Sequence, residues 1–165
     1  MITEITEEKR KKEIARAVLE ALPEWFGLPE STEKYIEESA NQRFFAAFDD
    51  EKPVGFICIK KTGDATAEIA VMGVLKEYHR RGIGRKLFEK AKESASKSGF
   101  EFMQVKTVQQ GRYSEYDATN EFYKSLGFRE FELFPTLWDD PFTVCSSGYF
   151  RMVISSSFQQ KRPPA

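Results

Sequence analysis

The sequence predicts a mixed α+β fold, with about four helices packed on a central, mostly antiparallel sheet of six to seven strands. Three observations carry this. Three β-type runs, 43–48, 54–60 and 66–74, follow one another across short polar turns with no helix between them, which builds an antiparallel meander. The third run leads through a basic turn into a helical pattern, with Ile83, Leu87, Ala91 and Ala95 at four-residue spacing and Phe88 beside them. After Ser98-Gly99 stops that helix, residues 100–107 read as a strand again, and a strand that follows a helix implies a parallel crossover.

The remaining elements follow in order. Residues 6–22 read as a helix with Ile14, Ala17, Val18, Ala21 and Leu22 on one face and Glu7 and Glu8 in the first turn; Pro23 ends it. Residues 23–29 form a proline-bounded loop carrying Trp25 and Phe26, either as a hydrophobic plug over the core or as walls of a substrate cleft. A second helix spans 31–40, with Tyr35 and Ile36. Downstream of the crossover strand, Ser114-Glu115-Tyr116-Asp117 has the pattern of a capped helix start. That helix runs through Thr119, Phe122, Tyr123 and Leu126, and Gly127 suits the position after its end. Strands at 128–134 and 148–154 flank a long loop, and 155–165 reads as a flexible C-terminal tail. With neither repeats nor a linker, residues 1–154 are expected to form a single domain.

Composition narrows the functional classes. A hydrophobic share of 41% beside 31% charged residues is that of a globular chain, not a disordered one. Net charge is −1, so global basicity does not point to nucleic acid. The 15 Phe suit a filled core or an apolar substrate pocket. One His and two distant cysteines, Cys58 and Cys145, match no metal-ligand spacing, so no metal site is expected. The N-terminus is acidic, with no apolar signal core, and no run approaches a membrane span. The expectation is a cytoplasmic protein with free thiols.

The segment 68–87 carries the strongest chemistry. A strand, a turn with two glycines and a helix start gather unpaired N–H groups at the positive end of a helix dipole, which suits a phosphate. Glycine lets the backbone approach a ligand with no Cβ in the way. His79, Arg80, Arg81, Arg85 and Lys86 add charge, although such a run is elsewhere often a solvated helix start. A P-loop is excluded because its Gly-Lys-Ser/Thr is absent, and Leu87 stands where a dinucleotide fingerprint has its third glycine.

His79-Arg80-Arg81-Gly82-Ile83-Gly84 resembles the Gln/Arg-x-x-Gly-x-Gly/Ala signature of the GNAT superfamily of N-acetyltransferases. Phe122-Tyr123-Lys124-Ser125-Leu126-Gly127-Phe128 resembles the family's later Tyr-x-x-x-Gly-Phe segment, and the element order agrees over 6–154. The resemblance implies a GNAT-like fold, splayed at the cofactor site, with acetyl-CoA as co-substrate and transfer of its acetyl group to a primary amine. Pyrophosphate would sit on the N–H groups of residues 81–85, so His79, Arg80, Arg81, Gly82, Ile83, Gly84 and Arg85 are the expected cofactor residues there. Met72, Gly73 and Val74 would contact the pantetheine arm as it lies along the strand like an extra one, with Gly73 at a bulge.

Tyr123 matches the family's proton donor to the leaving sulfur; packing is its alternative role. Glu68, eleven residues before His79, resembles the strand glutamate used as base in the histone-acetylating branch; its alternative is a solvent-facing carboxylate. His79 departs from the usual Gln or Arg, and Tyr116 stands seven residues before Tyr123 where the family often has Asn. Tyr116 shares a helix face with Tyr123 and could line the same cleft. In the loop before the last strand, Trp138 and Asp139 or Asp140 are candidate acceptor contacts, with a lid or a homodimer contact as alternatives. The acceptor is a small-molecule or peptide amine of open identity. The alternative function is a catalytically silent CoA-binding sensor.

Overall fold

The computed structural model describes residues 1–134 and 147–154. Seven strands form one sheet in the order β1-β2-β3-β4-β5-β7-β6: β1 (Ile2–Ile5), β2 (Arg43–Asp49), β3 (Lys52–Gly63), β4 (Thr66–Val74), β5 (Phe102–Val108), β6 (Arg129–Phe134) and β7 (Ser147–Val153). All neighbours are antiparallel except β4 and β5. The expected meander is β2-β3-β4. Strand β1 is an addition to the expected order: its four residues are too few to show a period, and only pairing with β2, Ile2 against Ala47, makes them a strand.

Among the described residues four α-helices cover the sheet: α1 (Glu8–Leu19), α2 (Pro29–Ser39), α3 (Ile83–Lys97) and α4 (Ser114–Ser125). Alternation along β4 assigns them to faces. A Cβ on Gly73 would meet Val18 of α1 at 3.0 Å and Leu22 at 3.2 Å, so this side of β4 carries α1. The neighbouring Met72 points the opposite way, its Cε 3.3 Å from where a Cβ on Gly84 of α3 would lie, with Phe122 of α4 beside it. The core lies on both faces, with Phe44 stacked on Phe56 at 4.9 Å and Leu87, Phe88 and Ala91 of α3 buried.

Helix α1 is shorter than the expected 6–22; Ile14, Val18 and Leu22 of the expected face are buried, together with Lys11, Ala15 and Leu19, while Ala17 and Ala21 are exposed. Lys11 reads as a surface residue in sequence, yet its ammonium donates to the carbonyls of Ala40 (3.0 Å) and Gln42 (2.7 Å). These lie just past the negative end of α2, which favours a cation there. Helix α4 starts at Ser114 as expected, but no side chain caps it. Asp117 accepts the N–H of Gly111 at 2.7 Å instead, closing the preceding loop.

Candidate functional site

Strands β4 and β5 begin side by side and then part. Their pairing runs from Thr66 opposite Phe102 to Ile69 opposite Val105 and ends there, although β4 continues to Val74. Ala70 is the extra residue of a bulge: Cys58 faces Val71 while Ile59 faces Ile69. The bulge falls at Ala70, not at Gly73, because added twist where β4 leaves β5 separates the strands. Gly73 is instead small because α1 crosses close above it.

The hydrogen-bond phase of β4 shows what the separation exposes. Leu75 N–H donates to Val54 O at 2.9 Å, so Leu75 and, by alternation, Gly73 bond to β3. Met72 and Val74 therefore turn their N–H and C=O groups away from β3, into the space that β5 has left. That space is a cleft of about 480 Å³, lined by this free edge, the turn after it, α4 and the loop between α1 and α2.

The turn ends in a cradle of backbone N–H groups. Arg80 (φ 62°) and Gly82 (φ 77°) both adopt the left-handed conformation, and Gly82 is the N-cap of α3. The first N–H bonded within the helix is that of Lys86, to Gly82 O at 3.1 Å, and no side chain caps this end. The N–H groups of Ile83, Gly84 and Arg85 thus remain for a ligand. Gly84 is tightly packed: a Cβ there would lie 3.1 Å from the Phe122 ring and 3.3 Å from Met72 Cε, so these side chains would have to give way.

Arg80 and Arg85 line the cleft, and Arg85 Nη2 donates to Ser125 O at 3.3 Å. Arg81 does not line it: its guanidinium lies 5.1 Å from the centre of the Tyr78 ring. Tyr78 in turn donates to Asp49 at 2.7 Å, and this bond holds its phenol above the usual pKa.

Helix α4 forms the opposite wall. Tyr123 is buried, its ring 5.5 Å from Phe122 and 5.6 Å from Phe128, and it reaches the cleft. Burial pushes its phenol pKa well up, so the hydroxyl keeps its proton. Asn120 faces away from the cleft. It accepts from Thr107 Oγ1 at 2.8 Å and donates to Val108 O at 2.9 Å, pinning α4 to β5.

The loop after α1 crosses toward this wall. Trp25 donates from Nε1 to Thr119 Oγ1 (3.2 Å) and toward Glu115 O (3.4 Å), and Tyr116 donates to Trp25 O at 2.8 Å. Phe26 packs edge-on against Tyr35 at 6.1 Å and also lines the cleft. Trp25 and Phe26 are thus walls of the cleft as well as part of the packing.

Glu68 is buried and is not among the side chains that line the cleft. Gln104 Nε2 donates to it at 2.8 Å, and the ammonium groups of Lys106 and Lys60 lie 3.4 and 3.7 Å away. Lys106 does line the cleft, as do Tyr35 and Phe122, none of which the sequence singled out as site residues. Position after the splay marks Lys106 in the structure; in sequence it is one of 25 Lys and Arg. Trp138, Asp139, Asp140 and Cys145 lie outside the described residues. Cys58 is buried in β3 as a free thiol.

Residues 40–130, more than half of the chain, match the family model described as "Acetyltransferase (GNAT) domain". The uncharacterized N-acetyltransferase CT2212 of Chlorobaculum tepidum is 33% identical over 116 residues, 68% of this chain and 67% of that protein. The uncharacterized N-acetyltransferase YsnE of Bacillus subtilis is 25% identical over 101 residues, 61% of this chain and 65% of that protein. The chain thus spans about two thirds of the length of these relatives. In fold, the crystal structure of an aminoglycoside 6′-N-acetyltransferase complexed with coenzyme A superposes with a TM-score of 0.70 at 19% identity, covering 99% of each chain.

Proposed function

The chain belongs to the GNAT family of acetyltransferases, and on that premise we propose that it transfers an acetyl group from acetyl-CoA to an amine by direct attack. The observation that carries this is the union, in one cleft, of a free strand edge at Met72 and Val74 with the uncapped start of α3. An extended chain bearing amides fits the first, and a pyrophosphate fits the second. The fold neighbour crystallised with coenzyme A supports the same donor. Acetyl-CoA, when bound, supplies the activated acyl group.

The chain's own residues do the rest. The N–H groups of residues 83–85, with Arg80 and Arg85, hold the negative end of the donor, and Met72 and Val74 align its arm. Tyr123 donates its proton to the departing thiolate: its hydroxyl reaches the cleft, and burial keeps it protonated until the thiolate forms. The amine must lose a proton before it attacks. Glu68 receives that proton through a relay past Lys106, since the carboxylate itself lies behind the cleft wall. Trp25, Phe26 and Tyr116 bound the acceptor side.

Calorimetric titration with acetyl-CoA, followed by thiol release over a panel of amines, tests the proposal. Absence of binding would refute it, and binding without turnover on any amine would turn the protein into a CoA sensor.

A further inference from the structure

His79 stands where a phosphate-binding side chain is expected, yet its exposed ring reaches back to β4. Nε2 lies 2.7 Å from the carbonyl oxygen of Val74. An oxygen acceptor requires a proton on that nitrogen, so in the neutral ring Nε2 carries the hydrogen and Nδ1 does not. Val74 is one of the two residues of β4 whose carbonyl faces the open edge (Met72 is the other), because Leu75 bonds to Val54 and the pattern alternates. The ring thus occupies one of two acceptors on the edge along which an extended amide chain would pair.

The other side of the ring meets Trp25, with centroids 6.0 Å apart at 68°. Trp25 is tied to α4 through Thr119, Glu115 and Tyr116. Lys76 lies 5.7 Å from the indole ring and pairs with Glu24 of the same loop. An unbroken string, Val74–His79–Trp25–Thr119, therefore crosses the cleft from one lip to the other, and all four members line it.

We propose that His79 is a placeholder for the donor's pantetheine arm: its Nε2–H holds the Val74 carbonyl until an amide N–H of the arm takes that bond. The displaced ring leaves Trp25, and the loop 23–28 loses that contact while Lys76 and α4 still hold it. The exchange replaces one hydrogen bond with another, so opening the edge has little net cost in hydrogen bonding. This inference rests on the reading of CoA as donor.

The chain has a single histidine, so a long-range proton–nitrogen NMR spectrum shows one imidazole. Free protein is expected to show the Nε2–H tautomer. Saturation with CoA is expected to move both ring nitrogens, whereas ADP, which has the pyrophosphate and no arm, leaves them in place. The intrinsic fluorescence of Trp25, read in a Trp138→Phe background, should change with CoA and not with ADP. His79→Ala should speed CoA association several-fold in stopped flow and leave its dissociation constant equal or lower.

Equal imidazole shifts with ADP and CoA, or a tenfold loss of CoA affinity in His79→Ala, would make His79 a phosphate ligand and overturn the placeholder. Calorimetric heat with CoA but an unmoved imidazole would overturn it too, while leaving the donor reading intact. Absence of heat with CoA would sink both.

Discussion

Replacing Tyr123 by Phe separates chemistry from packing at this site. The ring sits 5.5 Å from Phe122 and 5.6 Å from Phe128, contacts that Phe reproduces. Among the described residues no group hydrogen-bonds the hydroxyl, so the substitution leaves no buried partner orphaned. Stability should therefore change by no more than about 0.5 kcal/mol. Loss of a positioned proton donor, in contrast, should lower kcat by about 10²-fold, equivalent to about 2.7 kcal/mol of barrier.

The assay is thiol release under saturating amine, with the CoA dissociation constant measured in parallel by calorimetry. KM and Kd for the donor should stay within a factor of about two, on the reasoning that the interaction exists only in the transition state. Burial raises the phenol pKa, so the wild-type hydroxyl stays protonated to at least its ordinary value of about pH 10, and Tyr123 should cause no alkaline loss of kcat below that. An unchanged kcat in Tyr123→Phe would refute the donor role. Parallel losses in kcat and donor affinity would show that the hydroxyl binds instead of reacting.

Asn120→Ala should destabilise the fold by about 2–4 kcal/mol, read from urea midpoints, because it strands the Thr107 hydroxyl and the Val108 carbonyl in a buried place. Gly82→Ala forces a Cβ into the left-handed conformation at φ 77°, at about 1–2 kcal/mol. It should lower Tm by about 2–8 °C in a thermal scan. Burial pushes the Cys58 thiol up, so the folded state resists ionisation that the unfolded chain accepts. Its contribution is whole below the ordinary thiol pKa of about 8.5 and declines above it by up to about 1.4 kcal/mol per pH unit. Urea midpoints between pH 7 and 10 should therefore fall more steeply in the wild type than in Cys58→Ala.

The reach of the sequence can be followed residue by residue. The strand 66–74, the glycine turn and the stripe of α3 were legible because each rests on local chemistry: a period, a left-handed glycine and a capped or uncapped end. The pairing of this turn with the Tyr123 segment made the family legible as well. Strand β1, the buried Lys11 and the Asn120 bridge were not, since each depends on a partner tens of residues away or on a face that only packing selects. The surface-like Lys106 became a cleft residue, and the strand residue Glu68 sank behind it, for the same reason.

By itself, then, the sequence determined where unpaired backbone N–H groups would gather and which helix would carry the tyrosine. The tertiary structure alone decided where β4 leaves β5, and hence that Met72 and Val74 turn their backbone groups away from β3 into the cleft. It also decided that His79 turns onto that edge and Trp25 closes over it. Backbone conformation is set within a few residues of the chain, whereas a free edge exists only when two distant strands first pair and then part.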